Sequence, residues 1–204
     1  MGGIGTDVAK EAADIVIMDD NFATIVTAIE QGRTIYANIL KVVKFLMSGN
    51  LSEIGLIVIT ALLGYPTPLL PSQLLWINFV TDGLPALSLA ADHGSKNLMS
   101  VGPRKKEETI LSGSMMKSIL VFGTAVAAVT IVAFIVIFHL KGLEAARTVT
   151  FSLAVVAQMG LVFLIRKGSS VYSNKYLLLS VALVITMQVL INIVPPLQKV
   201  FRIG

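Results

Sequence analysis

The sequence predicts a mainly α-helical, polytopic membrane protein: a helical transmembrane bundle that follows a short N-terminal remnant of an α/β domain. Of its 204 residues, 55% are hydrophobic and only 14% are charged, whereas a typical soluble domain is about 25% charged. Several apolar runs reach the roughly 20 residues that a helix needs to cross a bilayer. The chain contains no cysteine, which excludes disulfides and thiolate metal sites.

Residues 1–22 are predicted to be a remnant of a cytoplasmic soluble domain, because they lack the basic head and apolar core of a signal peptide. The run DIVIM, residues 14–18, is short and β-branched and suits a buried parallel strand. Asp19 and Asp20 follow it and precede a long helix. A strand, an acidic turn and a helix are typical of the last unit of a doubly wound α/β domain. Because 22 residues are too few to bury a hydrophobic core, we expect the larger part of that domain to lie outside this chain.

A single helix is predicted to run from this remnant into the membrane, because the sequence continues past Lys41 and Lys44 without a breaker. Residues 23–44 form its stalk, and residues 45–194 form a transmembrane domain of five helices. The predicted spans are residues 45–63, 72–91, 114–140, 148–165 and 176–194, followed by a truncated tail at residues 195–204.

The distribution of lysine and arginine predicts the orientation, since basic residues accumulate on the cytoplasmic side. The predicted spans place Lys41, Lys44, Lys96, Arg104, Lys105, Lys106, Arg166, Lys167 and Lys175 on one side, and Lys141, Arg147, Lys199 and Arg202 on the other. The N-terminus is therefore expected in the cytoplasm. The basic cluster at residues 104–106 is interpreted as a membrane anchor, with no nucleic-acid partner.

Two carboxylates stand inside predicted spans, where a charge is costly unless it faces a partner, water or an ion. Glu53 has Asn50 three residues before it, so both share one face of the first span. Asn78, Thr81 and Asp82 share one face of the second span. A short turn joins the two spans, so these polar faces are expected to meet.

The combined set consists of hard oxygen ligands, of which Ca²⁺ takes about six to eight. Pro85 cannot donate to the carbonyl of Thr81, and an unwound turn there can turn main-chain carbonyls toward a cation. A carboxyl pair that carries H⁺ is the main functional alternative, and Mg²⁺ is disfavoured because it sheds its waters reluctantly. Asn50 and Thr81, taken singly, also suit hydrogen bonds between helices.

Gln158 is a further candidate ligand in the middle of the fourth span, although an interhelical hydrogen bond is the commoner role of such a residue. Gln188 and His139 are interpreted as structural. Trp76 is expected to pack or to anchor the interface.

The stretch QLLWINFVTDGLPALSLA, residues 73–90, closely resembles the sixth transmembrane helix of P-type cation-transporting ATPases of the type IIA calcium-pump branch. The stretch GTDVAKEAADIVIMDDNFATIVTAIEQGRTIYANI, residues 5–39, resembles the end of their HAD-like phosphorylation domain and the stalk of their fifth helix. GPRKKEETILSG, residues 102–113, resembles the loop between helices six and seven. Matching is looser after Gly113.

This resemblance implies a pump that couples ATP hydrolysis to cation export through an aspartyl-phosphate. The family motif with the phosphorylated aspartate, Asp-Lys-Thr-Gly-Thr, does not occur in this sequence, and neither does the motif that holds Mg²⁺. We therefore expect a C-terminal fragment, with helices five to nine and no catalytic residue, that does not hydrolyse ATP alone. Its expected partners are the lipid bilayer and the rest of the pump: the actuator, nucleotide and phosphorylation domains and the first four helices. In a bacterium the expected location is the plasma membrane.

The resemblance also implies the cation ligands, which are Asn50 and Glu53 from the fifth helix and Asn78, Thr81 and Asp82 from the sixth. Gln158 aligns with a glutamate of the pumps that bind two Ca²⁺ ions. The site that this residue would line has therefore lost one negative charge, which favours one Ca²⁺ per cycle over two. The presence of Glu53 favours two. Two other functions stay open at this stage. The chain could belong to a P-type pump for Na⁺, K⁺ or H⁺, or it could be a membrane module that binds or regulates a partner without catalysis.

Overall fold

The structure, a computed structural model, describes residues 5–17, 21–92, 98–100, 102, 110–166 and 173–203. The helices in these ranges are α1 (Asp7–Glu11), α2 (Phe22–Leu62), α3 (Pro71–Trp76), α4 (Gly83–Ala90), α5 (Gly113–Lys141), α6 (Leu143–Ile165), α7 (Lys175–Ile193) and α8 (Pro195–Phe201). A π-helical turn, Ile77–Thr81, joins α3 to α4, and a short 3₁₀ turn covers Leu98–Ser100.

The predicted continuous helix is present as α2, which has 41 residues and is therefore about 60 Å long at 1.5 Å per residue. The Asn21 side chain caps its start by accepting a hydrogen bond of 3.0 Å from the Ala23 amide. Its end is followed by Gly64, whose positive φ of 77° turns the chain back. The stalk and the first predicted span thus form one rigid element.

Four of the described helices are long and apolar enough to cross a membrane: Ala23–Leu62, Gly113–Lys141, Leu143–Ile165 and Lys175–Ile193. The fourth predicted span began at residue 148, whereas α6 begins five residues earlier, directly after the turn at Gly142. The remaining predicted span, residues 72–91, consists of α3, the π-helical turn and α4 in succession. The prediction of a mainly α, polytopic membrane protein is confirmed.

The predicted strand is absent from the described part of its segment. Residues 14–17 form no strand: only Ile17 makes an isolated β-bridge. The side chains of Ile15 and Val16 are 69% and 37% exposed. Residues 18–20 lie outside the described ranges. A parallel strand needs neighbouring strands for its hydrogen bonds, and the described residues supply none.

The helices pack around an apolar core that includes Leu56, Phe151, Val155 and Val184, all buried. Many large apolar side chains point outward instead, such as Leu62 at 82% and Leu140 at 73% exposure. Outward-facing apolar surface on this scale suits contact with lipid rather than water.

The short helix α8 folds back onto α3. The amide nitrogen Nε2 of Gln73 donates a 3.0 Å hydrogen bond to the carbonyl of Phe201, and the Phe201 ring packs edge-on against Trp76 with 5.5 Å between ring centroids. Trp76 thus takes the packing role predicted for it. These contacts with α8 hold α3 in place, immediately before the π-helical turn.

Candidate cation site

Glu53 is the centre of a buried polar site between α2, the π-helical turn and α6. Its side chain is only 6% exposed. Its two carboxylate oxygens accept hydrogen bonds from two elements: Oε2 from Nδ2 of Asn78 at 3.0 Å, and Oε1 from Nε2 of Gln158 at 3.1 Å. We call Glu53, Asn78, Thr81, Asp82 and Gln158 the intramembrane site.

The intramembrane site contains buried oxygens with no hydrogen-bond partner. They are Oγ1 of Thr81, Oδ1 of Asp82 and Oε1 of Gln158. Buried polar atoms without a partner are rare in folded proteins, yet three of the six such side-chain atoms in the described residues belong to this one site. All three can accept, and the Asp82 and Gln158 oxygens can only accept, so a cation or a hydrogen-bond donor would satisfy them.

Gly49 lets these side chains approach the α2 backbone. A Cβ atom at this position would lie 3.2 Å from Nε2 of Gln158 and 3.5 and 3.6 Å from the two carboxylate oxygens of Asp82. The Asp82 carboxylate and the Gln158 amide therefore meet at one point on α2, one helical turn from Glu53. Sequence reasoning missed Gly49, although its position four residues before Glu53 places both on one helical face.

The irregular turn predicted before Pro85 is present. The amide of Asp82 donates to the carbonyl of Ile77, five residues back, at 2.9 Å, which is the bonding pattern of a π-helix. Because Pro85 has no N–H, it cannot bond to the carbonyl of Thr81. The widened turn carries Asn78 and Thr81, and Asp82 directly follows it, so the break and the polar residues coincide.

The structure brings together most, not all, of the predicted ligands. Glu53, Thr81, Asp82 and Gln158 are buried at 6%, 0%, 2% and 0% exposure. Asn78 is exposed yet bonded to Glu53. Asn50 is exposed, and its role as a ligand stays a prediction.

Two residues interpreted as structural make interhelical or turn contacts. Gln188 on α7 donates through Nε2 to Oγ of Ser152 on α6 at 3.4 Å. His139, near the end of α5, lies 2.9 Å from the Tyr65 hydroxyl. Neither residue makes a hydrogen bond to the intramembrane site.

The chemistry of the intramembrane site suits a bound cation. It combines two buried carboxylates with a hydroxyl and two amides, all potential oxygen donors. Within the described ranges, no group of three or more histidine, aspartate or glutamate side chains gathers to hold a metal, so neutral oxygens would complete the coordination.

Comparison with known proteins places the sequence in a family. The sequence model described as "Cation transporting ATPase, C-terminus" matches residues 66–204. The chain is 40% identical to a "Calcium-transporting ATPase" of Bacillus subtilis over 99% of this chain and 24% of the relative. It is 39% identical to "Calcium-transporting ATPase 1" of Bacillus cereus, over the whole of this chain and 25% of the relative.

A fungal relative, the "Endoplasmic reticulum calcium ATPase srcA" of Aspergillus fumigatus, is 47% identical over 65% of this chain and 14% of its own length. The chain spans about a quarter of the length of the bacterial relatives it matches. These matches confirm the resemblance seen in the sequence: the chain belongs to the P-type cation-transporting ATPases and corresponds to their C-terminal region.

Proposed function

We propose that this chain is the membrane part of an ATP-driven Ca²⁺ pump and that the intramembrane site binds the transported ion. The observation that carries the proposal is the convergence of two buried carboxylates, Glu53 and Asp82, with three unpartnered oxygens. A bound cation would balance the negative charge of the carboxylates and accept lone pairs from the unpartnered oxygens. The relatives are named as calcium-transporting ATPases, which favours Ca²⁺ among the possible cations.

The ligand chemistry also favours Ca²⁺. Carboxylate, amide and hydroxyl oxygens are hard donors, and Ca²⁺ accepts them in flexible geometry, whereas Mg²⁺ requires a near-ideal octahedron and retains water. A site assembled from a widened π-helical turn and two other helices has this flexibility. Main-chain carbonyls near Thr81 are available as additional ligands, because Pro85 leaves one of them without its helical partner.

We propose one Ca²⁺ per cycle. Gln158 places a neutral amide where the resemblance to two-site pumps predicts a carboxylate. Its Nε2 group donates to Oε1 of Glu53 at 3.1 Å, so a neutral hydrogen-bond donor stands beside that oxygen and adds no further negative charge to the site. The intramembrane site then has two negative charges, which one divalent ion balances.

The remaining activity is assigned to parts of the pump beyond this chain. Phosphorylation of an aspartate by ATP, with Mg²⁺, needs a motif that this sequence lacks, so the chain alone is expected not to hydrolyse ATP. The stalk half of α2 would connect to the phosphorylation domain in the cytoplasm. Residues 72–91 would complete the five spans, and the plasma membrane is the expected location in a bacterium.

The test uses the full-length pump that contains this sequence and measures phosphoenzyme formed from ATP as the Ca²⁺ concentration is varied. Asp82→Asn removes one ligand charge. It is expected to raise the half-saturating Ca²⁺ concentration by about a hundredfold or more, because loss of a ligand should cost at least as much as the roughly 10- to 100-fold that loss of a ligand's hydrogen-bond partner costs. Asp7→Asn, the same change at an exposed residue of α1, serves as the matched control and is expected to behave like the native pump.

Competition by Na⁺, K⁺ and H⁺ in the same assay distinguishes the other cations. A native pump that is phosphorylated equally with and without Ca²⁺ contradicts the proposed function. Unchanged Ca²⁺ dependence in Asp82→Asn contradicts the assigned site.

A further inference from the structure

The helices α2 and α6, which contribute to the intramembrane site, meet again near the far end of α4, the helix that follows the π-helical turn. There Asp92, which follows α4, accepts hydrogen bonds on Oδ2 from Nζ of Lys41 at 2.8 Å and from Nε of Arg166 at 3.0 Å. Its Oδ1 accepts from Nη2 of Arg166 at 3.0 Å and from Nδ2 of Asn174 at 3.1 Å. Lys41 belongs to α2, Arg166 follows α6, and Asn174 caps α7. With Asn38 of α2, these residues form what we call the Asp92 cluster.

The Asp92 cluster is buried and specific in geometry. Asp92 and Arg166 are each only 3% exposed, and the guanidinium group binds the carboxylate through two nitrogens, the strongest form of this contact. Burial alone would raise the pKa of Asp92, but hydrogen bonds from Arg166 and Lys41 outweigh it and lower that pKa. Asp92 is therefore ionised at neutral pH, and removing its charge would leave Arg166 buried without its counter-ion.

The Asp92 cluster also holds the backbone at the end of α4. The Asn38 side chain donates through Nδ2 to the carbonyls of Ala90 and Asp92, at 3.2 and 2.6 Å. Asn174 donates in the same way to the carbonyl of Ser88 at 2.9 Å. The last carbonyls of a helix have no partner within it, so these two amides fix the end of α4 to α2 and α7.

The two meeting points are linked by short, rigid lengths of helix. Lys41 and Glu53 are 12 residues apart on α2, Asp82 and Asp92 are 10 apart across α4, and Gln158 and Arg166 are 8 apart across α6. These separations correspond to about 18, 15 and 12 Å at 1.5 Å per residue. Each ligand-bearing element is thus held at the intramembrane site and again at the Asp92 cluster.

We propose that Asp92 is a positioning residue of the pump: by binding Lys41 and Arg166 it fixes the relative positions of α2, α4 and α6 and so sets the Ca²⁺ affinity of a site it does not touch. This inference rests on the proposed function. It gives the charged residues at this end of the bundle a role in Ca²⁺ binding. From the sequence alone, Lys41 and Arg166 were interpreted only as signals of membrane orientation. A shift of one helix relative to the others would move Asp82 or Gln158 away from Glu53.

The experiment uses the full-length pump and follows two quantities in each variant. The first is the Ca²⁺ concentration that gives half-maximal phosphorylation by ATP. The second is the maximal phosphoenzyme per folded pump, where phosphorylation by inorganic phosphate without Ca²⁺ counts the folded molecules. A purely structural role would lower the amount of folded pump and leave the half-saturating Ca²⁺ concentration unchanged.

Asp92→Asn keeps the shape of the side chain and removes its charge. It is expected to raise the half-saturating Ca²⁺ concentration about threefold to tenfold, the range typical of residues that modulate coupling from a distance. Lys41→Met, which leaves the Arg166 contacts to Asp92 intact, is expected to cause a smaller shift in the same direction. The matched control is Lys117→Met, at an exposed lysine of α5, and it is expected to cause none.

The double variant Lys41→Met/Asp92→Asn is expected to shift no further than Asp92→Asn alone, because both changes break one interaction. Native half-saturating Ca²⁺ concentrations in both Asp92→Asn and Lys41→Met would overturn the inference while leaving the proposed function intact. A native pump with no Ca²⁺ dependence would overturn the proposed function and, with it, this inference.

Discussion

At the scale of single residues, the intramembrane site depends on a glycine, Gly49, as well as on the candidate ligands. Gly49 lies where the Gln158 amide and the Asp82 carboxylate approach α2, and a Cβ atom there would be 3.2 Å from Nε2 of Gln158. That distance is tighter than ordinary van der Waals contact. A Cβ atom alone would crowd the Gln158 amide and leave the Asp82 oxygens at ordinary contact distances of 3.5 and 3.6 Å. A branched side chain extends further and would crowd the Asp82 carboxylate as well.

We predict that Gly49→Val raises the half-saturating Ca²⁺ concentration of the full-length pump about tenfold, because its methyl groups enter the space next to Asp82 and Gln158. Gly32→Val is the matched control on the same helix, since nothing lies within 4 Å of a Cβ there. Phosphorylation by ATP at graded Ca²⁺ concentrations measures both. Equal Ca²⁺ dependence in the two variants would show that Gly49 is not part of the site.

The candidate ligands were largely predictable from the sequence, because a carboxylate within an apolar span usually marks a site for an ion, a proton or a ligand. Helical spacing correctly placed Thr81 and Asp82 in one buried group. The position of Gln158 in the middle of an apolar span made it a candidate, and the resemblance aligned it with a ligand position of two-site pumps. The exposure of Asn50 was not predictable, because spacing gives the face of a helix but not what covers that face. Asp92 was missed for the same reason: its partners come from residues 41, 166 and 174, far apart in sequence.

At the scale of helices, α2 and α5 approach closely through Gly123. A Cβ atom on Gly123 would lie 2.8 Å from Cδ2 and 3.0 Å from Cβ of Leu51 on α2. The second of these atoms is fixed to the α2 backbone, so a rotation of the leucine side chain cannot relieve the contact. The packing of α5 against the helix that carries Glu53 therefore requires glycine at this position.

We predict that Gly123→Ala destabilises the folded protein by about 1–3 kcal/mol, the usual cost of overpacking. Gly160→Ala is the control, because nothing lies within 4 Å of a Cβ on that α6 residue, and alanine is favoured over glycine within a helix by about 0.5–1 kcal/mol. Unfolding in detergent, followed by circular dichroism, compares the two variants. A Gly123→Ala protein as stable as Gly160→Ala would contradict the close packing of α2 and α5.

Helices were easier to predict than the strand, for a physical reason. A helix satisfies its own hydrogen bonds, so apolar runs between turn residues predicted the ends of α5, α6 and α7 to within one residue, apart from the start of α6, which lies five residues earlier than predicted. Pro85 predicted the irregular turn from local sterics alone. The segment at residues 14–17 depends on neighbouring strands, and composition cannot say whether those strands are present.

At the scale of the whole molecule, α2 connects the predicted stalk to the intramembrane site. One end of α2 carries the predicted stalk, and the other carries Glu53 in the core of the bundle. The Asp92 cluster lies between them and attaches α2 to α4, α6 and α7. We expect a displacement of the stalk to reach the intramembrane site through this rigid attachment, which is how ATP chemistry elsewhere in the pump would control cation binding.

We have proposed that Glu53 and Asp82 share one buried Ca²⁺. The most direct test is equilibrium binding of radioactive Ca²⁺ to the full-length pump without ATP, with native protein, Glu53→Gln and the exposed control Glu144→Gln. We expect one ion per pump in the native protein and in Glu144→Gln, and no saturable binding in Glu53→Gln over the same concentration range. Native binding in Glu53→Gln would show that Glu53 is not a ligand of a shared ion.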